Sequence, residues 1–172
     1  MIRFLSLFVA LLLLAGIASD HCVAATFIEA APCWPDTGGD DLNRRVGFRV
    51  ALQQLPPGSV LRIATSGLCR ASVDGQFVGH GPARAGHGHF RIDEWSLDSG
   101  AGSGTSVVAI EVAASTARSF YMVKQQPFLQ AEVVCDGKVL AATPDFQAID
   151  LHPVVVRKVP RYSYQRTFAE VF

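Results

Sequence analysis

The segment Ser72–Trp95, SVDGQFVGHGPARAGHGHFRIDEW, gathers His80, His87 and His89, Arg84 and Arg91, Asp74, Asp93 and Glu94, and Trp95. Each residue type could serve a reaction, so each is weighed by spacing. Two carboxylates can act on a glycosidic bond only if both face the same sugar, about 5–9 Å apart. Asp93 and Glu94 are neighbours on a predicted strand, so their side chains point to opposite faces. Asp74 stands first in an Asp-Gly turn and is explained by that turn. Two residues apart on a strand, His87 and His89 would share a face, and with His80 three imidazoles could meet a transition metal. His87 lies between Gly86 and Gly88, however, where regular strand geometry is doubtful. The set also lacks the cysteine or carboxylate ligand that would complete it. The other reading has the histidines lining a glycine-rich loop and bonding to its backbone. Among nucleophiles, Ser66, Ser72, Ser103 and Cys69 stand outside any G-x-S-x-G elbow. No catalytic residue, metal site or cofactor is expected.

The elements that must hold this segment read as short strands. SVLRIAT alternates, with Leu61 and Ile63 on one face. RASV and QFVGH flank Asp74-Gly75, and FLQAEVV and KVLAA flank Asp136-Gly137, both strong hairpin signals because the turn needs positive φ. HFRIDEW follows the glycine-rich loop, TSVVAIEVAAS puts Val108, Ile110 and Val112 on one side, and SYQRTFAEVF alternates as a last strand. GFRVALQQL suits a strand or a short helix. Pro82 fixes φ and removes a donor, so the strand before it must stop. Roughly eight strands spaced about 8–12 residues apart predict an all-β antiparallel sandwich of jelly-roll type. Asp98–Thr105 reads as a flexible connector, since it lacks the lysine of a phosphate loop and leads into a strand.

Residues 1–25 combine Arg3, an apolar run from Phe4 to Ile17 and a small-residue site ending at Ala25. That is the build of a secretory signal peptide, and the run falls short of the roughly 20 residues a spanning helix needs. The expected product is secreted or periplasmic, with no membrane attachment after cleavage. Residues 26–45 form an irregular lead-in, rich in Pro, Gly and Asp, that orders on contact or acts as a linker. Residues 46–172 form one domain. Fifteen basic and fifteen acidic side chains give a formal net charge of +0, which offers no long-range attraction to nucleic acid. Cys33, Cys69 and Cys135 allow one internal disulfide at most, and their spacing does not choose the pair.

VDGQFVGHGPAR, then HFRIDEWSL, SVVAIEV and PFLQAEVVCDGKVLAAT, resembles the amino-terminal β-sandwich of bacterial α-L-rhamnosidases. In that family an Asn/Asp-Gly hairpin runs into Gly-Pro-x-Arg, here Gly81-Pro82-Ala83-Arg84. GFRVAL is similar to the family's opening strand, and RYSYQRTFAEVF to its link toward the next domain. The resemblance covers Val46 to the end and implies a galactose-binding-like jelly roll that accompanies a catalytic (α/α)6 barrel. The family's acid and base belong to that barrel, whose twelve helices of about 11 residues need on the order of 130 residues. No stretch here fits it, so no catalytic residue is carried over. The expected role is an accessory module that binds a rhamnose-containing glycan or docks on a catalytic domain or subunit. The alternative is an interaction fragment with no ligand of its own, carrying an apolar patch near Tyr164, Phe168 and Phe172. Candidate ligand contacts are Arg84, Trp95, Arg118, Phe120 and Tyr121. Trp95 could instead pack in the core, and Arg84 could brace the loop through Asp93 or Glu94.

Overall fold

Asp-Gly pairs set two of the hairpins. Asp74 and Gly75 take φ of 49° and 81°, and Asp136 and Gly137 take 49° and 74°. Both residues of each pair occupy the left-handed region that a two-residue hairpin turn demands. The computed structural model of the chain describes residues 25–36, 44–86, 88–98, 104–114, 125–151, 161–163 and 166–167. Nine strands build the domain: β1 Arg44–Leu52, β2 Val60–Thr65, β3 Leu68–Val73, β4 Gln76–Gly81, β5 Asp93–Ser96, β6 Ser106–Ala114, β7 Leu129–Cys135, β8 Lys138–Ala142 and β9 Gln147–Asp150. They form two antiparallel sheets, ordered β4-β3-β6-β1-β9 and β5-β2-β7-β8. The proposed signal peptide lies outside the described residues. No helix among the described residues is long and apolar enough to cross a membrane.

One core lies between the two sheets. Val46, Phe48 and Val50 of β1, Ala71 and Val73 of β3, and Val108, Ile110 and Val112 of β6 meet Leu61 and Ile63 of β2 and Ala131 and Val133 of β7. Burial alternates along β1 and β6, as a sheet with one covered face requires. The ambiguous GFRVALQQL is therefore strand up to Leu52. Gly47 is a poor helix residue, and its missing side chain leaves room for Ile149 and Leu151, which would stand 3.3 Å from a Cβ there.

Three features differ from the sequence reading. β5 begins at Asp93, so His89–Ile92 are not strand. β9 carries no alternation because all four of its residues are exposed; it is held by pairing Val46–Arg49 with Gln147–Asp150. The terminal run is not one strand. Arg161–Ser163 (β10) pairs antiparallel with Arg166–Thr167 (β11), and Tyr164, Phe168 and Phe172 lie outside the described residues.

β7 is covered on both faces, and the lead-in is the reason. Glu132 of β7 is fully buried, and its carboxylate accepts N–H bonds of 3.0–3.2 Å from Ile28, Glu29 and Ala30. Gln130 donates to the Ala30 carbonyl at 2.8 Å, and Cys33 exchanges two backbone bonds with Leu129. Arg62 of β2 spans Glu94 at 2.8 Å and Glu132 at 3.4 Å and donates to the Thr26 carbonyl. The Glu94 bond, before that to Glu132, pushes the Arg62 guanidinium still higher than its ordinary range. The lead-in from Thr26 to Cys33 thus lies against the sheet through these bonds.

A buried carboxylate with these partners cannot be removed cheaply. Glu132→Ala leaves three backbone donors without their acceptor and takes one of two carboxylates from Arg62, and should lower stability by about 3–5 kcal/mol. Denaturant melts measure the loss, and amide exchange at residues 28–30 should accelerate with it.

Candidate functional site

The chemistry-bearing segment lies where the chain passes from one sheet to the other. β4 ends at Gly81, the Gly81–Pro82 peptide is cis, and β5 starts at Asp93 on the edge of the opposite sheet. The crossing is anchored from both ends. Asp93, adjacent to Gly81, accepts the Ala83 N–H at 2.9 Å, and a Cβ on Gly81 would lie 2.9 Å from its Oδ2. Trp95 lies so close to Gly79 that a Cβ there would sit 2.6 Å from ring carbon Cδ2. The indole packs half-buried against the core.

At this end of the sandwich the β2–β3 turn, the β4–β5 crossing and the approach to β7 enclose a cleft of about 490 Å³. Arg84, His89, Phe90 and Arg91 line one side, and Ser66 and Gln125 the other. Phe90 is 48% exposed, and its ring meets Phe128 edge-on at 4.7 Å, which fixes it without hiding it. Gln125 Nε2 donates to the Ser66 carbonyl at 2.9 Å, leaving its amide oxygen as an acceptor. Ser66 Oγ accepts the Phe128 N–H at 2.8 Å, leaving a hydroxyl proton to donate. Arg91 Nε lies 3.4 Å from Asp93 Oδ1 while its side chain stays 64% exposed.

The sequence candidates fall into three groups. Arg84 is exposed in the cleft and does not form the expected brace, because Asp93 holds Ala83 and Arg91 while Glu94 faces Arg62. Trp95 stands behind the cleft, against Gly79. Arg118, Phe120 and Tyr121 lie outside the described residues, in the β6–β7 connection whose far end, Gln125, lines the cleft. His80 is on the outer face of its sheet, stacked on Phe77 at 6.2 Å; His89 is in the cleft and His87 lies outside the described residues. Among the described residues no three His, Cys, Asp or Glu side chains are grouped to hold a metal. Phe90 and Arg91 were not singled out from sequence. Their signal was a loop rather than a strand register, since HFRI reads as the start of β5.

The remaining candidates have other duties. Asp74 Oδ1 accepts the Val107 N–H at 2.7 Å, so its carboxylate ties the β3–β4 turn to β6. Cys33, Cys69 and Cys135 are free thiols. Burial pushes the Cys69 thiol up, which holds it protonated and poorly nucleophilic near neutral pH.

A second concavity lies on the outer face of the five-stranded sheet. Cross-strand pairing places Phe77, Ser72, Ala109 and Arg49 in one row and His80, Arg70, Glu111, Gly47 and Ile149 in the next. Leu68, Phe77, Val107, Ile149 and Leu151 are all exposed, above a floor where Glu111 joins Arg45 and Arg70. This hollow also measures about 490 Å³. It is largely apolar, with Arg49 and Ser72 on its wall besides Arg70 and Glu111 of that ion-pair chain.

Close packing at the crossing makes a direct test. Gly79→Ala forces the Trp95 ring aside and should cost about 1–3 kcal/mol, read by thermal melting together with a shift in tryptophan emission.

No protein-family model matches the sequence, and no curated protein matches it. Among solved structures, the crystal structure of a GH78 family rhamnosidase of Bacillus sp. GL1 superposes with a TM-score of 0.67 at 22% identity, over 74% of this chain. The chain spans 14% of that rhamnosidase. What the two share is the fold: this β-sandwich is built like one part of a rhamnosidase.

Proposed function

We propose that the domain is an exported, non-catalytic accessory module of an α-L-rhamnosidase-like glycoside hydrolase, a galactose-binding-like jelly roll that binds glycan at its loop-end cleft. The observation that carries this is the cleft beside the β4–β5 crossing. It joins an exposed aromatic ring, Phe90, to exposed guanidinium groups, with spare polar capacity on Ser66 and Gln125. A pyranose offers an apolar face to a ring and hydroxyls to such polar groups, and small-ligand sites combine apolar walls with a few directed donors in this way. The rhamnosidase-like fold is the second support. Arg84 and Phe90 contact the sugar in this reading, Trp95 holds the crossing behind them, and Arg118, Phe120 and Tyr121 come from the adjoining connection. The module needs no cofactor and no metal, and works by surface contact.

Calorimetric titration with a panel of neutral and acidic rhamnose-containing oligosaccharides should give saturable heat. Phe90→Ala should weaken the tightest binder by a few-fold to about tenfold. Absence of heat across the whole panel overturns the reading.

The exposed apolar face of the five-stranded sheet favours a second role alongside the first, docking on the enzyme's catalytic domain. Exposed apolar patches of this kind mark interaction surfaces; the patch expected near Tyr164, Phe168 and Phe172 lies outside the described residues. Ile149→Asp should abolish co-purification with a rhamnosidase catalytic domain if that face is the interface, while leaving glycan binding unchanged.

A further inference from the structure

The charge of the loop-end cleft is lopsided. The chain as a whole is balanced at fifteen basic and fifteen acidic residues, yet among the described residues the cleft is lined by Arg84, Arg91 and His89 and by no carboxylate. Asp93, which pairs with Arg91, does not line the cleft. Its side chain is 10% exposed and is held by the Ala83 N–H from behind the loop. It therefore offsets Arg91 only in part, at 3.4 Å. Arg84 makes no hydrogen bond or ion pair with any other described residue, unlike Arg62 and Arg70, whose guanidinium groups meet carboxylates of neighbouring strands at 2.6–2.8 Å. Arg62 and Arg70 are neutralised by acids of adjacent strands; here Arg84 is displayed without one, and Arg91 with only the 3.4 Å contact to Asp93, beside an aromatic ring.

We infer that the cleft takes an anionic saccharide, with the acidic group of a uronate (or of a sulfate ester) seated on Arg84 and Arg91 and the sugar ring against Phe90. This rests on the reading of the cleft as a glycan site and names the class of sugar. Guanidinium groups suit it because their planar forks match the two oxygens of a carboxylate. A neutral rhamnoside would leave Arg84 without a partner and Arg91 with Asp93 alone, and would gain only the ring and hydroxyl contacts. The low net charge of the protein means that attraction comes from these two groups, so it should be short-ranged and weakened by salt.

The test uses the protein with three probes: an oligosaccharide of alternating rhamnose and galacturonic acid, the same oligosaccharide with its carboxyl groups reduced to alcohols, and a sulfated neutral oligosaccharide. The acidic form should bind, the reduced form at least about tenfold more weakly, and Arg84→Ala and Arg91→Ala should each cost about tenfold on the acidic form. Melting curves should be unchanged, since both side chains are exposed. Binding of the sulfated probe in place of the uronate identifies sulfate as the acid that is read, and the inference stands. Equal binding of the acidic and reduced forms overturns the inference while glycan recognition survives. Undiminished binding by the double variant also overturns it, because the acid would then sit elsewhere. If none of the three probes binds, the inference and the glycan reading both fall.

Discussion

The cleft exists because an indole can lie against a strand that has no side chain in its way. β4 and β5 are edge strands of different sheets, and the ten-odd residues between them must cross from one layer to the other. Gly79 lets Trp95 close that side of the sandwich against the backbone, and Gly81 leaves room for the Asp93 carboxylate, which then captures Ala83. Both contacts need the absence of a Cβ rather than any special backbone angle. Once the two ends are fixed, the intervening residues have nowhere to go but outward, and Arg84, Phe90 and Arg91 are displayed by a crossing whose ends cannot separate. A binding surface gains from such anchoring, since side chains on a held loop lose less entropy on meeting a ligand.

The two outer faces of the sandwich are treated in opposite ways. The four-stranded sheet is overlaid by the lead-in, which Glu132 gathers through three consecutive backbone donors. This satisfies a carboxylate that would otherwise be prohibitively buried. The five-stranded sheet has no such cover among the described residues and presents leucine, isoleucine and phenylalanine side chains around a floor thinned by Gly47 and Ala109. One layer has found its partner within the chain; the other has the composition of a surface still awaiting one.

Much of the scaffold was legible in the sequence, because it is written in local rules. Asp-Gly declares a turn through φ alone, and alternation in SVVAIEV declares a strand with one covered face. Pro82 declares where β4 must end. What escaped was non-local. β9 is fully exposed and owes its existence to pairing with β1, so no periodicity could mark it. Glu132 reads as an ordinary outward residue of an alternating strand, and only the return of residues 28–30 from a hundred positions away buries it. Of the site, Arg84 was visible as a polar residue beyond a forced strand end. Phe90 and Arg91 were not, because their alternation with Asp93 imitates strand while β5 starts only at Asp93. Trp95 was read as a ligand contact or as core packing, and its half-buried seat against Gly79 depends on a non-local contact that sequence does not carry.

The crossing also shows what the carboxylates of this segment do. Each carboxylate is committed to architecture: Asp74 to the β3–β4 turn, Asp93 to Ala83, Glu94 to Arg62. Acid–base chemistry needs carboxyl groups that share a substrate and are free to exchange protons, and these face three different ways. With Asp93 shared between Ala83 and Arg91, Arg84 is the guanidinium of the crossing that has no partner among the described residues. The same hydrogen bond that draws Asp93 toward Ala83 therefore shapes the electrostatic character of the cleft, so that scaffold and surface charge are two consequences of one allocation of acids.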